Sequence, residues 1–244
     1  ICREENLPII ARGAGTCLSG GATPAPGGVL IVTTRMNRIL EVDYENLIAR
    51  VQPGVVNLHL SNETRPHGFH YAPDPSSQMA CTIGGNAAEN SGGAHCLKYG
   101  MTTNHILGMT VVLSSGEVVQ LGSDGEEAPG LDLRGFFVGS EGTFALTTEI
   151  VVRLTPNPEG VRTMLTTFSE VGDACHTVSD VIASGAVPAA MELMDRYTVE
   201  AIEKVMKAGY PQDAAAVLLI ELDGLLPSMR PLEPLIRDIC DKNR

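Results

Sequence analysis

The sequence predicts an α+β protein built in two regions, and three observations carry that prediction. Before residue 155, short β-type runs alternate with stretches dense in Gly, Ser, Thr and Asn. A break follows at Thr155-Pro156-Asn157-Pro158-Glu159-Gly160, where prolines remove backbone donors and favour extended or turn geometry. Beyond it, strand-like and helix-like segments take turns, as in an open sheet with helices on one face. The predicted regions are therefore 1–156 and 157–244.

Each element has its own signal. Val29–Thr33, Ile39–Val42 and Leu47–Val51 are apolar runs separated by polar residues and read as strands. Thr110–Leu113 and Glu117–Leu121 flank Ser114-Ser115-Gly116, a hairpin signal. Thr148–Leu154 alternates, with Ile150, Val152 and Leu154 on one face. In the second region Thr163–Phe168 reads as a strand, and Val171, Ala174, Cys175, Val178 and Ile182 recur at helical spacing. Thr198–Ala208 is a second helix and Ala214–Leu222 a buried strand. Leu232, Leu235, Ile236, Ile239 and Cys240 form the stripe of a last helix.

Composition excludes several classes. The 244 residues hold 17 Lys+Arg against 29 Asp+Glu, a net charge of −12, which offers no electrostatic footprint for nucleic acid or an anionic membrane. The longest continuous apolar run, Ala214–Ile220, is far short of the ~20 residues of a membrane span. Six cysteines, at 2, 17, 81, 96, 175 and 240, form no Cys-x-x-Cys pair, which favours a reducing cytoplasm over a disulfide framework. There is no initiator Met and no signal-peptide core at Ile1–Asn6. The chain reads as a piece of a longer protein that begins and ends within helices.

Four segments carry chemistry. Arg12-Gly13-Ala14-Gly15-Thr16-Cys17-Leu18-Ser19-Gly20-Gly21 follows the apolar run Leu7–Ala11. Small residues there let successive N–H groups converge on one point, the device that holds a phosphate without a dedicated cation. Leu18 stands where the third glycine of the dinucleotide fingerprint belongs, and no Lys-Ser/Thr pair makes it a P-loop. The second segment is Asp74-Pro75-Ser76-Ser77 followed by Cys81-Thr82-Ile83-Gly84-Gly85-Asn86-Ala87-Ala88-Glu89-Asn90-Ser91-Gly92-Gly93. It orders much chain for little apolar burial, so a polar ligand against its backbone is expected to hold it. Lys98-Tyr99-Gly100 and Gly139-Ser140-Glu141-Gly142-Thr143 complete the set.

In this order, and with Val51-Gln52-Pro53-Gly54-Val55 between the first two, these segments resemble the flavin-binding half of the vanillyl-alcohol oxidase/p-cresol methylhydroxylase superfamily. The similarity is greatest to its 2-hydroxy-acid branch, the glycolate oxidase catalytic subunits and D-lactate dehydrogenases. Ala189-Ala190-Met191-Glu192-Leu193-Met194-Asp195 resembles the start of that family's substrate domain. The resemblance implies a two-subdomain FAD-binding PCMH-type fold, its N-terminal part missing, followed by the beginning of a ferredoxin-like α+β substrate or cap domain. It implies non-covalent FAD, with Arg12, Gly13, Ala14, Gly15, Thr16 and Ser19 around the pyrophosphate. Pro73, Asp74, Thr82, Gly84, Gly85 and Asn86 would line the flavin and ribityl region, with Ser91, Gly92 and Gly93 close by. Gly139 and Gly142 would let the chain pass the cofactor, and the Ile150 backbone would meet the adenine end. Two departures stand out: Cys17 replaces a usual glycine, and Phe144-Ala145-Leu146 replaces a commoner Leu-Gly-Ile.

The implied activity is oxidation of a small 2-hydroxy acid, glycolate or D-lactate, to the 2-oxo acid by hydride transfer to flavin N5. The base and metal-ligating residues of that family come from a late His/Glu cluster; the last histidine here is His176, so the catalytic half is expected beyond Arg244. A non-catalytic FAD-binding or electron-transfer subunit is the alternative, since sister subunits exist in such complexes. A cell-wall reductase of the same superfamily fits Gly-Ser-Glu-Gly-Thr and Asp-Pro-Ser-Ser less well. The expected location is cytoplasmic, or peripheral to the inner membrane through partner subunits. His67-x-x-His70 lacks a third metal ligand nearby, and no Gly-x-Ser-x-Gly supplies a hydrolase nucleophile.

Overall fold

The computed structural model describes residues 1–123 and 130–243. They form two units: Ile1–Gly93 with Tyr99–Asn157, and the chain from Pro158 onward with the short segment Ala94–Lys98.

In the first unit, β1 (Ile9–Arg12) pairs in parallel with β2 (Val29–Val32), Ile9 opposite Val29. Strands β3 (Ile39–Asp43) and β4 (Ile48–Val51) form a hairpin whose turn is closed by Asp43 Oδ1, which accepts from Glu45 and Asn46 N–H at 2.9 Å each. Then come α1 (Asn57–Thr64), β5 (Phe69–His70) and α2 (Ile83–Glu89); the short α3 (Cys96–Tyr99) follows, all but its last residue counted with the second unit. The hairpin β6 (Ile106–Leu113) and β7 (Val118–Gly122), α4 (Leu133–Phe137), β8 (Ala145–Arg153) and β9 (Thr155–Pro156) complete the unit. Five strands make one antiparallel sheet in the order β3-β4-β8-β6-β7. Its inner face contributes Ala49, Val51, Val111, Ile150 and Val152 to a core against which Leu60 of α1 and Ile83 and Ala87 of α2 pack.

Two helices depart from the sequence expectation. α1 has few apolar residues, and α2 holds Gly84 and Gly85 in its first turn, so neither shows a helical stripe. The stretch read as ligand-ordered backbone is instead helix, started by Thr82, whose Oγ1 accepts from Gly85 N–H at 3.1 Å. At the amino end, Cys2–Asn6 forms turns, not a helix. The Thr155-Pro156 break is pinned as a two-residue strand on β5, Phe69 opposite Pro156.

The second unit contains β10 (Gly160–Phe168), α5 (Val171–Ala183), β11 (Ala190–Asp195), α6 (Arg196–Val205), β12 (Ala216–Gly224), α7 (Leu226–Met229) and α8 (Leu232–Lys242). β12 lies between β10 and β11 and is antiparallel to both, so β10-α5-β11 is a split crossover. Ala216, Leu218, Ile220 and Leu222 project from β12 into a core with Ala174 and Val181 of α5 and Ile236 and Cys240 of α8. The alternate residues Glu221 and Asp223 project from the opposite face. There His95 Nε2 lies 2.9 Å from Glu221 Oε1, and Lys98 Nζ donates to the Asp223 carboxylate and, at 2.8 Å, to its carbonyl. These pairs tie Ala94–Lys98 to the sheet. Among the described residues no helix is long and apolar enough to cross a membrane.

Two outcomes are expected. The Asp223 side chain is 5% exposed, so Lys98→Met takes the ammonium away from a buried carboxylate and should cost about 3 kcal/mol in urea unfolding, a loss that adding Asp223→Leu should reduce. His105 is buried and its Nε2–H donates to the Tyr99 carbonyl at 2.8 Å; burial, opposed by that bond, holds its imidazole below the ordinary range. The unfolded chain, titrating near about 6.5, therefore binds the extra proton first as pH falls. The stability His105 contributes is whole above that pH and declines below it, by at most about 1.4 kcal/mol per pH unit. Thermal unfolding midpoints followed from about pH 8 to about pH 5, across that titration, should fall more steeply for the wild type than for His105→Gln, which keeps a donor to Tyr99.

Candidate functional site

The loop after β1 is the starting point. A parallel pair such as β1-β2 needs a crossover, and residues 13–28 supply it without regular structure. Among the described residues, no hydrogen-bond partner is found for the N–H groups from Ala14 to Ser19. Gly15 has φ +73°, and a Cβ there would lie 2.7 Å from Arg12 Nη2, so the guanidinium rests directly against the loop's own backbone. A Cβ on Gly13 would lie 2.6 Å from Thr82 Oγ1, the atom that caps α2. Cys17 is absent from the residues with positive φ, which is why the usual glycine is dispensable there.

α2 is held at both ends by distant main chain. Ile83 N–H donates to the Val55 carbonyl and Gly84 N–H to the Pro53 carbonyl, each at 2.8 Å. At the other end Gly139 N–H donates to Ala87 and Glu141 N–H to Ala88, again at 2.8 Å each. Helix ends leave such carbonyls orphaned, so the Gly139–Thr143 turn acts as a cap supplied from far along the chain. Glu141 at φ +53° and Gly142 at φ +72° give that turn its shape.

Loop, helix and turn enclose a cavity of about 360 Å³, inside the about 300–1,000 Å³ range of small-molecule sites. Arg12, Gly13, Ala14, Gly15, Thr16 and Ser19 line it from one side. Thr82, Gly84, Gly85, Asn86 and Ser91 line it from α2 and its exit, and Gly142 from the turn. Asn86 is wholly buried beside the Cys81 thiol, and neither its Oδ1 nor its Nδ2 has a nitrogen or oxygen partner. A buried amide with only a thiol for company is weakly satisfied, at a cost of about 1–3 kcal/mol. Arg12 is the one cationic side chain lining the cavity among the described residues; Glu89, which accepts from Ser19 Oγ at 3.4 Å, and Glu141 are its anionic ones.

Six of the expected residues do not line the cavity. Pro73 accepts at its carbonyl from Asn57 Nδ2 at 2.8 Å, and Gly93 lies so close to Asp74 that a Cβ would sit 2.2 Å from its carbonyl oxygen. These positions, with Gly92, shape the neighbouring backbone. Gly139 acts through its cap on α2. Ile150 is in the core on a central strand, opposite Val51 on one side and Met109 on the other, so its backbone is engaged within the sheet. Pro53, Ser77, Cys81, Glu89 and Glu141 stand in the segments singled out above and also line the cavity, though the resemblance assigns them no cofactor contact; Thr33, Leu146 and Thr147 line it from outside those segments. Glu89 was within reach, because it stands three residues after Asn86 and shares its helix face once α2 is recognised.

The remaining candidates are placed elsewhere. His67 stacks on Tyr44 with centroids 4.5 Å apart, and His70 Nδ1 lies 3.1 Å from Asn157 Oδ1. Cys96 follows His95 in the segment held by Glu221 and Asp223. Burial pushes the Cys81 thiol up, with Ser77 and Asn86 beside it pulling the other way.

A family model described as FAD binding domain matches residues 1–122, and one described as FAD linked oxidases, C-terminal domain, matches residues 157–243. The glycolate oxidase subunit GlcD of Escherichia coli (strain K12) is 49% identical over 225 residues, covering 92% of this chain and 45% of that protein. GlcD of Bacillus subtilis (strain 168) is 44% identical over 243 residues, covering 99% and 52%. A D-lactate dehydrogenase of Anaerostipes hadrus is 36% identical over 248 residues, covering 99% and 52%. The chain thus spans about half the length of the curated relatives it matches. A solved structure of alkyldihydroxyacetonephosphate synthase superposes with a TM-score of 0.83 at 22% identity, covering 99% of this chain and 48% of that one, which establishes the fold. With an FAD-binding domain in its first half and the oxidase C-terminal domain after it, this chain belongs to the FAD-linked oxidases of the PCMH type.

Proposed function

We propose that the cavity takes the diphosphate of FAD on the open N–H groups of Ala14 to Ser19, beside Arg12, and that the whole protein oxidises a small 2-hydroxy acid, glycolate or D-lactate, to the 2-oxo acid. The observation that carries this reading is the run of unpartnered main-chain donors from Ala14 to Ser19 in a loop that lines the cavity. A diphosphate brings acceptor oxygens and negative charge, which such donors satisfy in a chain of net charge −12 with one arginine at the site. The residues present fit the cofactor. Thr16 and Ser19 add hydroxyls at the loop, and Thr82, Gly84, Gly85 and Asn86 form the opposite wall. Bound FAD would supply the two-electron acceptor that no side chain offers.

The substrate assignment rests on the likeness to glycolate oxidase subunits and a D-lactate dehydrogenase. The word "subunit" in two of those names supports work alongside sister chains. The free cysteines favour a cytoplasmic location, with any membrane association made through such partners.

The full-length protein is expected to purify yellow or to become so with FAD, and its flavin absorbance should bleach when glycolate or D-lactate is added anaerobically. Protein that takes up no FAD overturns the cofactor reading; flavin that no 2-hydroxy acid bleaches overturns the substrate reading. Asn86→Leu should weaken FAD binding about tenfold to a hundredfold by titration, the loss of one or two buried hydrogen bonds, while the apoprotein melts no lower than wild type because an unsatisfied amide has been removed. Gly15→Ala should also weaken FAD at least tenfold, since a Cβ forces both the φ +73° backbone and the Arg12 guanidinium to move.

A further inference from the structure

The charge around the cavity runs against its use as an anion site. Arg12 is the one cationic side chain lining it among the described residues, and Glu89 and Glu141 stand against it. Both carboxylates lie on the second half of the β1 loop. Glu89 Oε2 accepts from Ser19 Oγ at 3.4 Å, beside the last of the open N–H groups. Glu141 Oε2 lies 3.4 Å from where a Cβ on Gly21 would stand. The two glutamates are also neighbours, because Glu141 N–H donates to the carbonyl of Ala88, next to Glu89, at 2.8 Å. Glu89 is half-buried and closes the gripped helix α2, whereas Glu141 is exposed. Solvent therefore screens Glu141 more, and Glu89 acts harder on a neighbouring charge.

We propose that Glu89, with Glu141 beside it, sets the anion specificity of this cavity: it admits a diphosphate esterified at both ends, as in FAD, and rejects a terminal phosphate, as in ADP or ATP. The inference rests on the cofactor reading above and names what the same site excludes. Each phosphorus of a doubly esterified diphosphate carries a single charge. A terminal phosphate carries about −1.5 to −2 near neutral pH. The main-chain donors from Ala14 to Ser19 hold either group, since they are fixed dipoles that take no account of how the charge is divided. The added charge, however, falls beside Glu89 with only Arg12 to offset it. Like charges a few ångströms apart repel strongly where the walls keep bulk water away. Nucleotides with terminal phosphates share the adenosine of FAD, so attraction alone cannot tell them apart. A repulsive group can.

The test uses the full-length protein freed of FAD, with ADP-ribose and ADP competing against FAD in a chelator-containing buffer while flavin fluorescence is followed. The two competitors share adenosine and diphosphate and differ in whether the second phosphate is esterified. ADP-ribose should compete about tenfold more strongly than ADP at low salt. The ratio should narrow as salt approaches about 1 M, where the screening length is about 3 Å. Glu89→Gln should narrow the ratio about threefold or more by strengthening ADP, and Glu141→Gln should narrow it less. Glu89→Asp, which keeps the charge, should preserve most of it. A purely structural role for Glu89 would shift both competitors alike and leave the ratio where it was. A wild-type ratio near unity, a ratio indifferent to salt, or one unchanged by Glu89→Gln each overturns the proposal alone. Protein that binds no FAD, or bound FAD that ADP-ribose fails to displace, overturns the cofactor reading and this proposal with it.

Discussion

The first unit depends on how α2 is gripped. Two consecutive N–H groups at its start are taken by the Pro53 and Val55 carbonyls, and two carbonyls at its end are taken by Gly139 and Glu141 N–H groups. A short helix carrying two glycines has little stability of its own, so these four bonds, with the Thr82 cap, make it a fixed element. The grip needs close backbone contact. A Cβ on Gly84 would lie 2.5 Å from Pro53 Cβ, and one on Gly54 only 2.1 Å from the Thr33 carbonyl oxygen. Once α2 is placed, the β1 loop can rest on it through Gly13, and the cavity follows.

What that scaffold leaves undone is as informative as what it completes. The amides of Gly84, Gly85 and Asn86 are consumed inside the protein, by Pro53, Thr82 Oγ1 and the Thr82 carbonyl. Those of the β1 loop are not. The division of labour is clear: α2 is structural wall, and the loop is the donor surface. With Glu89 and Glu141 also at the cavity, the proposed diphosphate would have to be held by oriented dipoles at short range, since net charge opposes it.

The second unit uses a different balance. Its sheet buries one face under helices and carries a pair of carboxylates on the other, where His95 and Lys98 meet them. The segment, distant in sequence, is fastened to this sheet by these two polar pairs, one of them to the buried Asp223 carboxylate.

Much of this was legible in the residue order. The hairpin at Ser114–Gly116, the strand through Ile150 and Val152, and the helices with stripes at Val171–Ile182 and Leu232–Cys240 follow from periodicity, since one-sided burial writes itself into spacing. The glycine-dense loop announced a donor surface by its lack of side chains. The helical state of Ile83–Glu89, the roles of Pro53, Glu89 and Glu141 at the cavity, and the bonds from His95 and Lys98 to β12 were not legible. Each depends on a hydrogen bond or charge pair between residues far apart in the chain, and local pattern holds no record of who stands opposite whom. The amino-acid order by itself settled which segments are apolar on one side and which are rich in bare amides; only tertiary structure decided which of those amides remain open, because that is fixed by the partners the folded chain brings to them.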